Sequence, residues 1–271
     1  MKDLIKQALA EDIGKGDATS KLTVPPDAEA RARVDQKEPG VIAGLEVAEA
    51  VFREVDRSLR FMALTSEGEW TDGGPVCAIE GNARSILAAE RVALNFLGRL
   101  SGVATLTARY VAAVEGTNAR ILDTRKTTPL LRALEKKAVL TGGGFNHRFG
   151  LDDAILIKEN HSKMAGGVGK ATSLAVERAP KGMMIVVECA SLREVDEALD
   201  AGATHLLADN MNEDDLRETV ARSADRATVE ASGGVTLETV RQIAETGVDY
   251  ISVGALTHSA RALDLSLLLY T

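Results

Sequence analysis

The sequence predicts an α/β protein whose second part is a (β/α) barrel with six strands evident. Two observations predict it. Short apolar runs alternate with helical patterns from about residue 117 onward, the rhythm of βα units and a parallel sheet. Each run ends on polar or charged residues: Asp123-Thr124-Arg125-Lys126, Lys158-Glu159, Glu188, Asp209-Asn210, Glu230-Ala231-Ser232 and Gly254. A barrel builds its site from residues at the C-terminal ends of several strands. Side chains alternate faces along a strand, so Arg125, Lys158, Glu188, Asp209 and Glu230 can all point to one end.

The first part, to about Gly116, mixes element types. Ile5–Leu9 reads as a short amphipathic helix and Gly44–Val55 as a second one. Arg31–Asp35, Arg60–Leu64 and Val76–Ile79 read as strands. Asn82–Val114 is helical, with a break expected at Ser101-Gly102. In the second part the strands are expected at Arg120–Leu122, Ala154–Ile157, Met184–Val187, His205–Ala208, Ala227–Val229 and Tyr250–Val253. Helices are expected at Leu192–Ala201, Asp214–Arg222 and Leu237–Thr246, with Gly202 and Gly247 closing two of them. The tail, Ala262–Leu269, has a strand-like period and is expected to return to the N-terminal domain. The domains are thus 1–116 and 117–259, with residues 260–271 joining the first.

Composition narrows the function. The chain has 271 residues and a net charge of −8, with a pI of about 5.2. That opposes bulk affinity for nucleic acid, and aromatics at 3% offer few stacking platforms. Cys77 and Cys189 are far apart and form no metal-binding spacing. The N-terminal residues lack the apolar stretch of a signal peptide, and no run is long enough to span a bilayer, so a cytoplasmic location and no membrane partner are expected.

Against this acidic background, Arg125, Lys126, His147, Arg148 and Lys158 gather around Gly142-Gly143-Gly144 within residues 121–161. Arginine grips carboxylate or phosphate through two parallel hydrogen bonds, so the cluster points to a ligand with several negative charges. The glycines with Phe145-Asn146-His147-Arg148 are expected to form an anion-binding loop. For His147 two readings stand level: a donor to phosphate, or a satisfied structural histidine. Lys158 suits either an anion contact or a Schiff-base nucleophile. Glu188 and Asp209 suggest a Mg²⁺ site with few protein ligands. Ser232-Gly233-Gly234 and Gly254 follow the last two strands, where glycine lets backbone N–H groups approach a phosphate. Cys189 reads as a core residue. Arg84, Arg91 and Asn95, taken alone, read as an exposed helix face.

Nearly end to end, the chain resembles the quinolinate phosphoribosyltransferase family. The resemblance is carried by ALAEDIGKGDATS, GVIAGLEVAEAVF, NARSILAAERVALNFLGRLSGVAT, DTRKTTP, GGGFNHRFGLDDAILIKENH, LADN, EASGGV and SVGALTHS. It implies an N-terminal α/β sandwich domain with an incomplete, open α/β barrel, and a homodimer. The implied reaction joins quinolinate to phosphoribosyl pyrophosphate with Mg²⁺, giving nicotinate mononucleotide, pyrophosphate and CO₂ for NAD biosynthesis.

It also implies roles. Arg125, Arg148 and Lys158 would bind the quinolinate carboxylates with His147 close by, and Arg91 would come from the partner subunit, overturning its bland reading. Lys126 and Lys158 would contact phosphoribosyl pyrophosphate. Glu188 and Asp209 would face ribose and Mg²⁺. Ser232, Gly233, Gly234 and Gly254 would hold the 5′-phosphate, with His258 nearby. The family often has glutamate at Val186, glycine at Leu130 and tyrosine at Lys137. Three rivals are a related phosphoribosyltransferase with another acceptor, a Schiff-base aldolase or isomerase using Lys158, and a non-catalytic binding protein.

Overall fold

The computed structural model describes residues 1–270, and the chain divides into two compact units. In chain order the first stretch holds α1 (Lys2–Ile13), α2 (Ala18–Thr23), β1 (Glu29–Gln36), β2 (Gly40–Val41), α3 (Leu45–Val55), β3 (Arg60–Ala63), β4 (Trp70–Thr71), β5 (Gly74–Asn82) and α4 (Ala83–Ala113). Then come β6 (Arg120–Leu122), α5 (Arg132–Thr141), β7 (Ile155–Ile157), α6 (Glu159–Ala165), α7 (Val168–Arg178), β8 (Ile185–Cys189) and α8 (Leu192–Asp200). The chain ends with β9 (His205–Asp209), α9 (Glu213–Ser223), β10 (Thr228–Ser232), α10 (Val240–Ala244), β11 (Tyr250–Ser252), α11 (Ala255–His258) and β12 (Leu265–Tyr270).

The first unit comprises Met1–Ala108, Thr128–Gly143 and Ser259–Thr271. Its main sheet is antiparallel in the order β12-β1-β5-β3. The tail strand pairs with β1 along its whole length, from Gln36 opposite Leu265 to Arg31 opposite Tyr270. The division differs from the boundary expected at 116. It falls inside α4, and α5 groups with the first unit although the chain around it belongs to the second.

The break expected at Ser101-Gly102 is absent: α4 runs unbroken from Ala83 to Ala113. Its glycines answer a packing demand. A Cβ on Gly102 would lie 2.0 Å from the carbonyl oxygen of Arg261, and one on Gly98 3.0 Å from that of Leu263. The Leu263 N–H also donates to the Gly98 carbonyl at 2.9 Å. A glycine costs a helix roughly 1 kcal/mol relative to alanine; here it makes room for another stretch of backbone to lie against the helix.

The second unit comprises Arg109–Thr127 and Gly144–His258. Its six-stranded sheet is parallel throughout, in the order β6-β11-β10-β9-β8-β7. The order begins at β6 and ends at β7, which makes the barrel incomplete. Beside β6, Phe145 forms a single parallel bridge with Leu122, the remnant of a further strand. Outward residues of the sheet pack under the helices: Ile157, Val187, Cys189 and Leu206 with Val168, Val195 and Ala198. Burial of this apolar layer is the main force holding strand ends in register. Cys189 belongs to it, and burial pushes its thiol up to about 12, so it is a core residue as expected. No described helix is long and apolar enough to cross a membrane.

Candidate active site

The strand ends converge. A cavity of about 800 Å³, lined wholly by the second unit, receives Arg125, Lys126, His147, Arg148, Lys158, Glu188, Asp209, Ser232, Gly233, Gly234, Gly254 and His258. These are all the expected site residues except Arg91. That residue is exposed on α4 in the first unit, while Arg84 is tied down at 2.8 Å to the Val24 carbonyl through its Nε.

At one side sit the cations. Arg125 is half-buried and Arg148 buried. Loss of hydration and the neighbouring Arg125 together pull the Arg148 guanidinium below its ordinary value. Its Nη1 donates to the Ala154 carbonyl at 2.9 Å, but its buried Nε meets no hydrogen-bond partner among the described residues. A buried donor left unpaired costs about 1–3 kcal/mol. An anion in the cavity would remove that cost and the repulsion together.

Lys158 ends β7 with its side chain 54% exposed and its Nζ 3.7 Å from Glu188 Oε2. This is not the dry pocket in which an amine nucleophile is activated, which weighs against the Schiff-base reading. Glu188 Oε1 accepts the N–H of Glu159 at 3.1 Å. Asp209 Oδ2 accepts from Asn210 Nδ2 at 2.8 Å. Asn210 has φ 56°, a left-handed conformation that asparagine tolerates better than most residues. Its N–H donates to the Ser232 carbonyl at 2.8 Å. Gly233, at φ +97°, must lack a side chain here: a Cβ would lie 2.2 Å from Asn210 Oδ1.

The far side is built around Gly254. A Cβ there would stand 3.0 Å from Lys126 Cδ and 3.2 Å from His258 Nε2. The missing side chain lets both residues close over the strand end. Thr257 Oγ1 fastens the turn by donating to the Lys126 carbonyl at 2.8 Å.

The glycine-rich loop is a correction to the expectation. Gly142, Gly143 and Gly144 do not line the cavity. Gly142 ends α5, where a Cβ would lie 2.3 Å from the Ala104 carbonyl oxygen; Gly143 follows at φ +84°. Gly142 thus serves helix termination and close packing, and only His147 and Arg148, beyond the glycines, reach the cavity.

The departures also find places. Leu130 sits at φ 66° and is 82% exposed, so a glycine there would be at ease. Lys137 pairs with Glu46 at 2.5 Å in the first unit. Val186 is fully buried in β8 and does not line the cavity.

Sequence reasoning gave no role to Glu230, His205, Ser252, Thr124 or Asn210. Glu230 is fully buried at the floor of the cavity. It accepts from His205 Nε2 at 2.9 Å and from Ser252 Oγ, and faces His147 Nε2 at 3.4 Å. Burial by itself would raise its carboxyl, but these donors outweigh it and hold it at about 2. The alternation of faces brought Glu230 to the rim with the other strand ends, but its histidine and serine partners come from other strands and left no signal in the sequence.

Comparison with known proteins decides the lineage. The family model for the quinolinate phosphoribosyl transferase C-terminal domain matches residues 103–268, and that for the N-terminal domain matches residues 17–101. The chain belongs to the quinolinate phosphoribosyltransferase family. A mitochondrial quinolinate phosphoribosyltransferase (decarboxylating) of Nicotiana tabacum is 46% identical over 98% of this chain and 81% of its own length. A probable nicotinate-nucleotide pyrophosphorylase of Synechocystis is 44% identical over 97% and 90%. The nicotinate-nucleotide pyrophosphorylase structure from Francisella tularensis superposes with a TM-score of 0.95 at 38% identity, covering 99% of this chain and 95% of its own. The family's N- and C-terminal domains thus account for an antiparallel unit and an open parallel barrel in one chain.

Proposed function

We propose that this chain joins quinolinate to phosphoribosyl pyrophosphate, giving nicotinate mononucleotide, pyrophosphate and CO₂, in de novo NAD biosynthesis. One observation carries the reading beyond family membership: Arg125, Arg148, Lys158, Glu188 and Asp209, far apart in sequence, line a single cavity. Its volume of about 800 Å³ suits a ligand of nucleotide size.

In this reading Arg125, Arg148 and Lys158 bind the two carboxylates and so aim the pyridine nitrogen at C1 of the ribose. Alignment of this kind is a large part of catalysis for two bound reactants. The nitrogen lone pair forms the new bond to C1 while the C1–oxygen bond breaks, and its electron pair leaves with pyrophosphate. Positive charge gathers on the ribose, and Glu188 and Asp209 stabilise it. Lys126 neutralises phosphate oxygens, and the backbone of Ser232–Gly234 and Gly254 approaches the 5′-phosphate, with His258 nearby. The alkylated ring nitrogen is positive and withdraws electrons. The bond from C2 to its carboxylate can then break, CO₂ leaves, and C2 takes up a proton. A monoacid would leave one cation unpaired, which selects for the diacid.

Mg²⁺ fits the donors present. No group of three His, Cys, Asp or Glu residues is placed to hold a metal among the described residues. Glu188 and Asp209 suit a cation that takes most of its ligands from water and substrate oxygens. When bound, Mg²⁺ would offset charge growing on pyrophosphate. We read the working assembly as a homodimer in which the exposed Arg91 serves the partner subunit's cavity, and its location as cytoplasmic. Both cysteines remain thiols, in keeping with a reducing compartment.

The test is direct. Purified protein with quinolinate, phosphoribosyl pyrophosphate and Mg²⁺ should release CO₂ and pyrophosphate together. Nicotinate should not replace quinolinate. Arg125→Ala or Arg148→Ala should lower kcat/KM for quinolinate by about a hundredfold or more. Preference for nicotinate, or near-normal rates in both variants, would sink the assignment.

A further inference from the structure

β9 and β10 lie side by side in the parallel sheet, with Asp209 opposite Ser232 on their last shared rung. One strand thus ends on a carboxylate and the other on the turn Ser232-Gly233-Gly234, and both line the cavity. Asn210 stands where the two meet. Its backbone N–H donates to the Ser232 carbonyl at 2.8 Å, one step beyond the end of β9. Its backbone then turns left-handed, at φ 56°. Leu130 and Asp225 share that conformation, but only Asn210 lines the cavity. The turn lays the side chain on the neighbouring strand end: a Cβ on Gly233 would come within 2.2 Å of Asn210 Oδ1 and 2.5 Å of its Cγ. The other end of the amide donates from Nδ2 to Asp209 Oδ2 at 2.8 Å. The reverse orientation would set a carbonyl oxygen against a carboxylate, two acceptors with no proton between them, so Asp209 itself fixes which way the amide points.

We propose that Asn210 is a positioning residue for the activated sugar: its amide fixes the Asp209 carboxylate and braces the phosphate-binding turn, so that ribose and 5′-phosphate meet one rigid unit. This rests on the reading of the cavity as a phosphoribosyl pyrophosphate site. The amide occupies Asp209 Oδ2 and leaves Oδ1 for the ribose. A carboxylate accepts a neutral N–H without losing its charge, whereas a cation in that place would cancel the negative field needed as positive charge gathers on the sugar. A freely rotating carboxylate would have to be ordered each time substrate binds; the amide removes that cost in advance. Two demands meet at this position. The backbone must be left-handed, and the side chain must carry a donor short enough to reach the residue before it. Asparagine satisfies both. Glycine satisfies only the first. Aspartate satisfies the first and reverses the second, by setting a carboxylate against a carboxylate.

The experiment compares the unsubstituted chain with Asn210→Gly and Asn210→Asp. Both variants suit φ 56° and keep the N–H that donates to Ser232, so a role in the turn alone would leave them normal. Calorimetry with ribose 5-phosphate, without metal, reads the sugar and phosphate contacts apart from turnover. The unsubstituted chain should bind most tightly, Asn210→Gly about tenfold more weakly, and Asn210→Asp most weakly of the three. In steady-state kinetics Asn210→Gly should raise KM for phosphoribosyl pyrophosphate about tenfold and leave KM for quinolinate within about twofold. Three results would overturn the proposal: ribose 5-phosphate affinity unchanged in both variants, Asn210→Asp binding as well as the unsubstituted chain, or an equal rise in both KM values. Should Asn210→Gly fail to fold, calorimetry of Asn210→Asp decides; should Asn210→Asp fail, both measurements on Asn210→Gly decide. If the three chains bind ribose 5-phosphate in the expected order but the unsubstituted one turns over no quinolinate, the functional reading fails and the positioning role stands.

Discussion

Two glutamates are wholly buried, one in each unit, and they are satisfied by opposite means. Glu135, in the first unit, is held by a permanent cation: Arg99 donates from Nε at 3.0 Å and Nη2 at 2.7 Å. Thr128 adds its hydroxyl at 2.7 Å and its N–H at 2.9 Å. Glu230, in the second unit, has two imidazoles and a hydroxyl. Arginine is never deprotonated in a protein, so the first arrangement is a structural clamp built on a fixed charge. Imidazole and hydroxyl can be donor or acceptor, so the second arrangement holds its carboxylate by hydrogen bonds at the cavity rather than by a fixed charge. The carboxylate of the first unit is thus paired with a fixed charge, and the one that lines the cavity with polar groups.

That contrast can be broken in several ways. The largest effect expected is on the clamp. Arg99→Leu leaves Glu135 buried and unpaired, and urea denaturation at neutral pH should show a loss of about 3–4 kcal/mol. A loss below about 1 kcal/mol would mean that Thr128 alone suffices. Glu230 should instead show itself in acid. Its carboxyl lies at about 2 in the fold against 4.5 ordinarily. The folded value is the lower one, so its stabilisation is complete above about pH 4.5 and disappears as pH falls toward 2. That limb should be worth roughly 3 kcal/mol. Urea unfolding measured from pH 5 to 2 should be flatter for Glu230→Gln; parallel curves would contradict the assignment. Gly254→Ala sharpens the picture at the opposite side of the cavity. The new methyl meets Lys126 and His258, both flexible, so stability should hold. KM for phosphoribosyl pyrophosphate should rise about tenfold, equivalent to roughly 1.4 kcal/mol. Smallest is Leu130→Gly in the first unit. Relief of a left-handed leucine should offset the added chain entropy, leaving stability changed by under about 1 kcal/mol.

The parts of the site that were legible before the structure share a physical basis. Arg125, Lys158, Glu188 and Asp209 follow apolar runs, and the two-residue period of a strand plus the βα rhythm brings such residues to one rim. Ser232–Gly234 and Gly254 follow by the same argument. Gly142–Gly144 misled because glycine marks both ligand loops and tight packing, and only the carbonyl of Ala104 shows which applies. Gly98 and Gly102 misled in the same way: they cost helix propensity locally and repay it through backbone contacts with Leu263 and Arg261.

The sequence alone determined local periods and the order of chemistry-bearing residues, because those depend on backbone geometry and on neighbours a few positions away. The tertiary structure alone decided that β6 and β7 end an open sheet, that α5 joins the first unit, and that His147 comes to face the buried Glu230. Each of these is settled by groups that meet only after the chain has closed, where burial makes an unpaired donor or acceptor costly enough to choose a single arrangement.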